Sequence, residues 1–182
     1  MPCHLLRKAR GLPTAALVLS IMVFVSGWTP SYADSAQASR LLKDARGLAV
    51  QLGRDANQMA SFQTLTDWKS HADQLNLIGD HINKVGKILA DLHQARDGAE
   101  PWQQDAIDKI SPLVQELASN TKSIIDNLNG DKRTWRPEYK AYLKSNAERA
   151  NDLSKLIGDY LDYEGAKART QGLSEKAGFS SP

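Results

Sequence analysis

Residues 68–92 read WKSHADQLNLIGDHINKVGKILADL. Trp68, His71, Leu75, Ile78, Ile82, Val85, Leu89 and Leu92 alternate spacings of three and four without a miss. That is the heptad seam of a helix packed lengthwise against other helices. Beside it runs a stripe of small residues, Ala72, Gly79 and Gly86, seven residues apart each time. Glycine costs a helix about 0.8–1.0 kcal/mol relative to alanine. Two at heptad spacing therefore predict a partner helix in close approach.

Three more segments flank this one. From about Ser35 to Met59, the residues Leu41, Ala45, Leu48, Leu52 and Met59 define one helix face. Ser61-Phe62-Gln63-Thr64 breaks it, and Thr64, three residues before Asp67, is placed to cap the next helix. After Asp97-Gly98-Ala99-Glu100, Pro101 suits a first helical position. Ile107, Ile110, Val114, Leu117, Thr121, Ile124 and Leu128 then form a third seam. Pro112 inside it predicts a kink or a fresh start capped by Ser111. Asn129-Gly130 predicts the stop, with Gly130 in the left-handed cap. A connection from Lys132 to Arg136 leads to Pro137 and a fourth segment. Leu143, Ala147, Ala150, Ser154, Ile157 and Leu161 line one face of it, and Tyr139, Tyr142, Leu153, Leu156, Tyr160 and Tyr163 an adjoining one. Beyond about Ala168 the composition turns to Gly, Ser and Lys, which predicts a frayed tail.

Four such segments joined by short loops predict an all-α, antiparallel up-down-up-down four-helix bundle. The alternative is a three-helix core with the first helix loosely attached.

The N-terminus reads differently. Arg7, Lys8 and Arg10 precede an apolar run from Leu12 to Val25, and Ser31-Tyr32-Ala33 puts small residues at Ser31 and Ala33. This order is that of a secretory signal, cleaved after Ala33. The expected organisation is a signal peptide at 1–33, a helical bundle at 34–168 and a flexible tail at 169–182. A retained anchor is the alternative, although Pro13 and Ser20 interrupt the run. No comparable apolar run follows, so no integral membrane segment is expected after cleavage.

Cleavage changes the electrostatics. The 182 residues carry 23 Lys+Arg and 21 Asp+Glu, and three of the basic residues lie in the signal. The remaining 149 residues hold 20 basic against 21 acidic groups, a net of −1. No electrostatic case for nucleic acid survives. The single cysteine, Cys3, leaves too, and with it any disulfide or thiolate site. A chain of this length still buries about 68–70% of its unfolded surface. The expected location is periplasmic or secreted.

Chemistry is sparse. His71, His81 and His93 all fall on the second segment. His71 and His81 point about 80° apart, while His71 and His93 share a face but sit about 33 Å apart. No pair can share a metal ion, so no metal site is expected. His81 and His93 read as solvated flank positions, and His71 as a hydrogen-bonded core histidine. Ser70-His71 points its two side chains apart, and carboxylates such as Asp105, four before Lys109, read as helix decoration. No glycine-rich phosphate loop appears. An enzyme is therefore not expected, nor a resident cofactor.

Two clusters remain. Met59, Trp68, His71, Trp135 and Tyr139, with Phe62, are predicted to meet at one end of the bundle. They make either a hydrophobic plug or a site for a small planar ligand, haem included. Lys132, Arg133, Arg136, Lys140 and Lys144 form a basic strip in which Arg136, Lys140 and Lys144 share a face. It suits an anionic surface or is solvated helix decoration. In outline the pattern is similar to periplasmic sensor bundles, but those need a second membrane segment. The expected function is a non-enzymatic binding or structural role in the cell envelope. The fourth helix is the partner surface, for another envelope protein or a second copy in a homodimer. A ligand or haem carrier using the end around His71 is the alternative.

Overall fold

The computed structural model describes residues 32–61 and 67–178. The apolar N-terminal run, Phe62, Thr64 and residues 179–182 lie outside them. Among the described residues the structure is all helical. The elements are α1 (Tyr32–Ser61), α2 (Trp68–Ala95), a 3₁₀ turn (Arg96–Gly98), α3 (Pro101–Asp131) and α4 (Pro137–Lys176). None of these helices is long and apolar enough to cross a membrane.

One core joins all four helices. α1 packs on α2 and α4, and α3 packs on the same two. α1 and α3 barely meet, except where the buried Gln103 Nε2 donates to the Ser35 carbonyl and to Ser39 Oγ, each at 2.9 Å. The α2 seam is buried as its spacing predicts, from His71 through Leu92 to Ala95. So is the α3 seam, where Thr121 donates to Asn146 Oδ1 of α4 at 3.2 Å.

α1 departs from expectation. Its buried face is Ala38, Leu42, Ala45, Ala49, Leu52, Ala56 and Met59, an unbroken heptad carried mostly by alanine, while Leu41 and Leu48 are half-buried flanks. Small side chains let backbones close up, and the close approach occurs here instead of on α2. A Cβ placed on Gly53 would meet Asn151 Oδ1 at 3.0 Å. Gly79 and Gly86 face open space, with nothing within 4 Å of such a Cβ. Of the α2 stripe, Ala72 packs against the core, while Gly79 and Gly86 meet no other helix among the described residues. Replacing Gly79 and Gly86 by alanine is expected to stabilise the fold by about 0.8–1.0 kcal/mol each. The effects should add, because the sites are about 10 Å apart. A urea titration that shows destabilisation would contradict the open placement.

The helix ends also correct local expectations. Asp67 caps α2: its carboxylate accepts from Lys69 N at 3.1 Å and from Ser70 Oγ at 2.8 Å. Glu100 and Gln103 form a reciprocal capping box around Pro101. Gly130 stays inside α3, and the left-handed residue is Lys132 (φ 53°, ψ 12°), whose N–H reaches the Leu128 carbonyl at 2.9 Å. α3 runs unbroken through Pro112, with no fresh start at Ser111. The Ser111 hydroxyl instead bonds back to the Ile107 carbonyl at 2.7 Å.

α4 extends to Lys176, past the residue-168 boundary at which a frayed tail was expected. Its buried positions end at Gly158, and Leu173 is exposed. Ala, Lys, Arg, Gln, Leu and Glu dominate this last stretch, and their intrinsic preference favours helix without tertiary packing.

Candidate functional site

The end cluster assembles only in part. Met59, His71 and Tyr139 are buried, Trp68 is half-buried against the core, and Trp135 is 60% exposed. The His71 Nδ1 and Tyr139 hydroxyl lie 2.9 Å apart, with the rings tilted at 51°. This bond joins α2 to α4 across the core. Burial pushes the Tyr139 phenol well above its ordinary value, so the hydroxyl stays protonated and serves as a neutral partner. His71 is thus the hydrogen-bonded core histidine that its seam position suggests. The Trp68 ring is covered by the Lys132 ammonium at 4.4 Å.

The basic strip is largely neutralised. Asp131 takes both Arg133 and Arg136, the latter at 2.7 Å, and Lys144 lies 3.7 Å from Glu148. Among the described residues, Lys140 has no acidic partner within salt-bridge distance.

His81 is not a solvated flank. Its Nδ1 sits 2.8 Å from Asp55 Oδ2, and both side chains are nearly buried between α1 and α2. Gln51 Nε2 donates to the other Asp55 oxygen at 2.9 Å. His93 is exposed as expected and reaches Ser111 Oγ at 2.9 Å. That serine's proton goes to Ile107, so His93 Nε2–H donates. Among the described residues, no three His, Cys, Asp or Glu side chains are grouped to hold a metal ion.

A different surface concentrates the aromatic side chains. The first turns of α3 and the middle of α4 bound an open groove of about 370 Å³, lined by Trp102, Asp105, Leu156, Asp159, Tyr160 and Tyr163. Trp102 and Tyr163 meet edge to face, centroids 6.2 Å apart. Trp102 Nε1 donates to Glu100 Oε2 at 3.1 Å, and Lys167 of α4 donates to the same oxygen. Tyr160 donates its hydroxyl proton to Asp105, which also accepts from Lys109 at 2.9 Å. The Lys109 ammonium stands 5.8 Å from the Tyr160 ring centroid. Lys155 pairs with Asp159 at 2.7 Å.

The chain matches no protein-family model, no curated protein and no solved structure. What the groove can do therefore follows from its own residues.

Polar partners hold the aromatic walls in place. Bonds from Tyr160, then from Lys109, keep the Asp105 carboxyl below its ordinary value of 3.8. Desolvation, then the same bond to Asp105, raises the Tyr160 phenol. A depressed folded-state value stabilises the fold above the unfolded value, and that stabilisation is lost as pH falls through the folded one. The Tyr160–Asp105 bridge should therefore stay intact at about pH 5 and open only below the usual aspartate range. Ring signals of Tyr160 during acid titration report this directly. Release at or above 3.8 would contradict the geometry.

The fourth-helix tyrosines pointed toward this surface; Trp102 did not. Its position just after Pro101 reads as helix-start decoration until α3 and α4 are laid side by side.

Proposed function

We propose that this chain is exported by its N-terminal signal and folds as an antiparallel up-down-up-down bundle. It works in the cell envelope as a non-catalytic binding protein, through the groove between α3 and α4. Export rests on the order of basic cluster, apolar run and Ser31-Tyr32-Ala33. The antiparallel arrangement is supported by the register of α3 on α4. Partners descend along α4 as α3 ascends: Glu100 with Lys167, Asp105 with Tyr160, Glu116 with Arg149, Thr121 with Asn146. The two residue numbers of every pair add to 265 or 267, as in a single continuous antiparallel hairpin.

The observation that carries the binding role is the gathering of Trp102, Tyr160, Tyr163 and Leu156 in one open concavity, with Tyr163 53% exposed. Clustered apolar surface on a small protein marks an interaction site, and Trp and Tyr dominate such sites energetically. A non-catalytic role accords with the groove's polar groups. Asp105 and Asp159 are each engaged by a lysine, and His71 and His81 are spent within the core.

The test is native mass spectrometry of the protein purified from its own envelope, beside a Trp102→Ala variant. The expected result is a mature chain beginning at Asp34, with a bound mass that the variant loses. The same bound increment on both proteins, or none on either, would overturn the groove as the binding site. A haem absorption band surviving in the variant would move the function to the His71 end.

A further inference from the structure

We infer that the groove takes a neutral, hydroxyl-rich ring of the kind found in sugars, lying against the edge-to-face pair of Trp102 and Tyr163 and bonded through its hydroxyls to Asp105 and Asp159. This rests on the groove being the binding site, and it adds the chemistry of the ligand.

Charge decides first. The acidic groups around the groove are Glu100, Asp105 and Asp159, and each is held by one lysine: Lys167, Lys109 and Lys155. The rim is balanced. An anion would meet two carboxylates in the lining itself. A cation would find the Tyr160 face already occupied by the Lys109 ammonium, which would repel it. Neither charged class gains a net field here, so a neutral ligand is favoured.

The surfaces decide next. Trp102, Leu156 and Tyr163 offer apolar and aromatic faces. The negative face of an aromatic ring attracts the weakly positive C–H groups on one side of a sugar ring. The Asp105 and Asp159 carboxylates keep lone pairs beyond those their present partners use and can accept from ligand hydroxyls, while the lysines beside them can donate to hydroxyl oxygens. A purely apolar ligand would leave these groups unused and partly desolvated. A ring that is apolar on its faces and hydroxylated at its edge satisfies both sets. The volume of about 370 Å³ is at the small end of ligand sites, which suits a ring or a pair of rings.

The experiment uses ¹⁵N-labelled protein purified from the native host, with each indole N–H signal assigned by single Trp→Phe variants. The probes are cellotetraose, maltotetraose and tetra-N-acetylchitotetraose, with spermidine, polygalacturonate and p-cresol as contrasts. The expected result is a saturable shift of the Trp102 signal with a neutral oligosaccharide, insensitive to salt, while the Trp135 signal stays fixed. Asp105→Asn keeps an acceptor for Tyr160 and should preserve the spectrum, yet weaken sugar binding by about tenfold through loss of one charge-assisted bond. Trp102→Phe should weaken it less than Trp102→Ala. A Trp102 response to a contrast probe and to no oligosaccharide overturns the sugar assignment and leaves the groove as a site. Silence toward all three oligosaccharides also overturns it. The native-mass comparison of wild type with Trp102→Ala then decides whether the groove reading falls too.

Discussion

Replacing Tyr139 by alanine is expected to lower the unfolding free energy by about 3–5 kcal/mol, the cost of emptying a large buried aromatic site. Tyr139 is among the largest fully buried side chains of the protein. It enters from the first turn of α4 and reaches His71 on α2, two helices that otherwise do not pack on each other. Its removal opens a cavity at that end and takes away the hydroxyl partner of His71 Nδ1. Tyr139→Phe separates the two contributions. It keeps the ring and loses the hydrogen bond, so it should cost only about 0.5–1.5 kcal/mol. Urea titrations at neutral pH read both values. Equal losses for the two variants would mean that the ring packs less tightly than its burial indicates.

Asp55→Ala is the second large effect, again about 3–5 kcal/mol, because it leaves one half of a buried polar pair behind. Asp55 is 4% exposed, beside the α1 seam and next to Ala56. Asp55 Oδ2 and His81 Nδ1 form a close polar contact at 2.8 Å, and among the described residues neither atom makes a hydrogen bond elsewhere, so each depends on the other. The double replacement Asp55→Leu/His81→Leu should recover most of the loss, to within about 1 kcal/mol, since an apolar pair needs no partner. Strict additivity of the Asp55 and His81 single variants would contradict the pairing.

How legible these features were depended on side-chain size and on register. The seams of α2 and α3 carry large aliphatic residues at almost every step, and their periodicity survives without tertiary information. α1 carries alanine at four of its seven seam positions, so the larger Leu41 and Leu48 drew the inferred face to one side. The Asp55–His81 pair depends on how α1 and α2 slide past each other. Each residue looks ordinary in its own helix. Trp102 is a more instructive omission. The short Lys132–Arg136 connection sets the register of α3 on α4, and pairing outward from it puts Trp102 near Tyr163. That register joins two apolar patterns lying on different helices. The cap at Lys132 is not legible in the sequence, because Gly130 offers the lower-energy left-handed residue. The protein takes Lys132 instead, where the backbone bonds to Leu128, its ammonium covers Trp68 and Asp131 gathers Arg133 and Arg136. The end cluster was overdrawn for a related reason: sequence proximity to a helix start does not say which way a tryptophan faces, and Trp135 faces out.

The most direct test of the binding role compares three indole N–H signals, those of Trp68, Trp102 and Trp135, in ¹⁵N-labelled protein. The signals are recorded before and after addition of the small-molecule and glycan fraction of the native envelope. The groove between α3 and α4 predicts that Trp102 moves, alone among the three. Movement of Trp68 with Trp102 unchanged would place the site at the His71 end and contradict the assignment made from the structure.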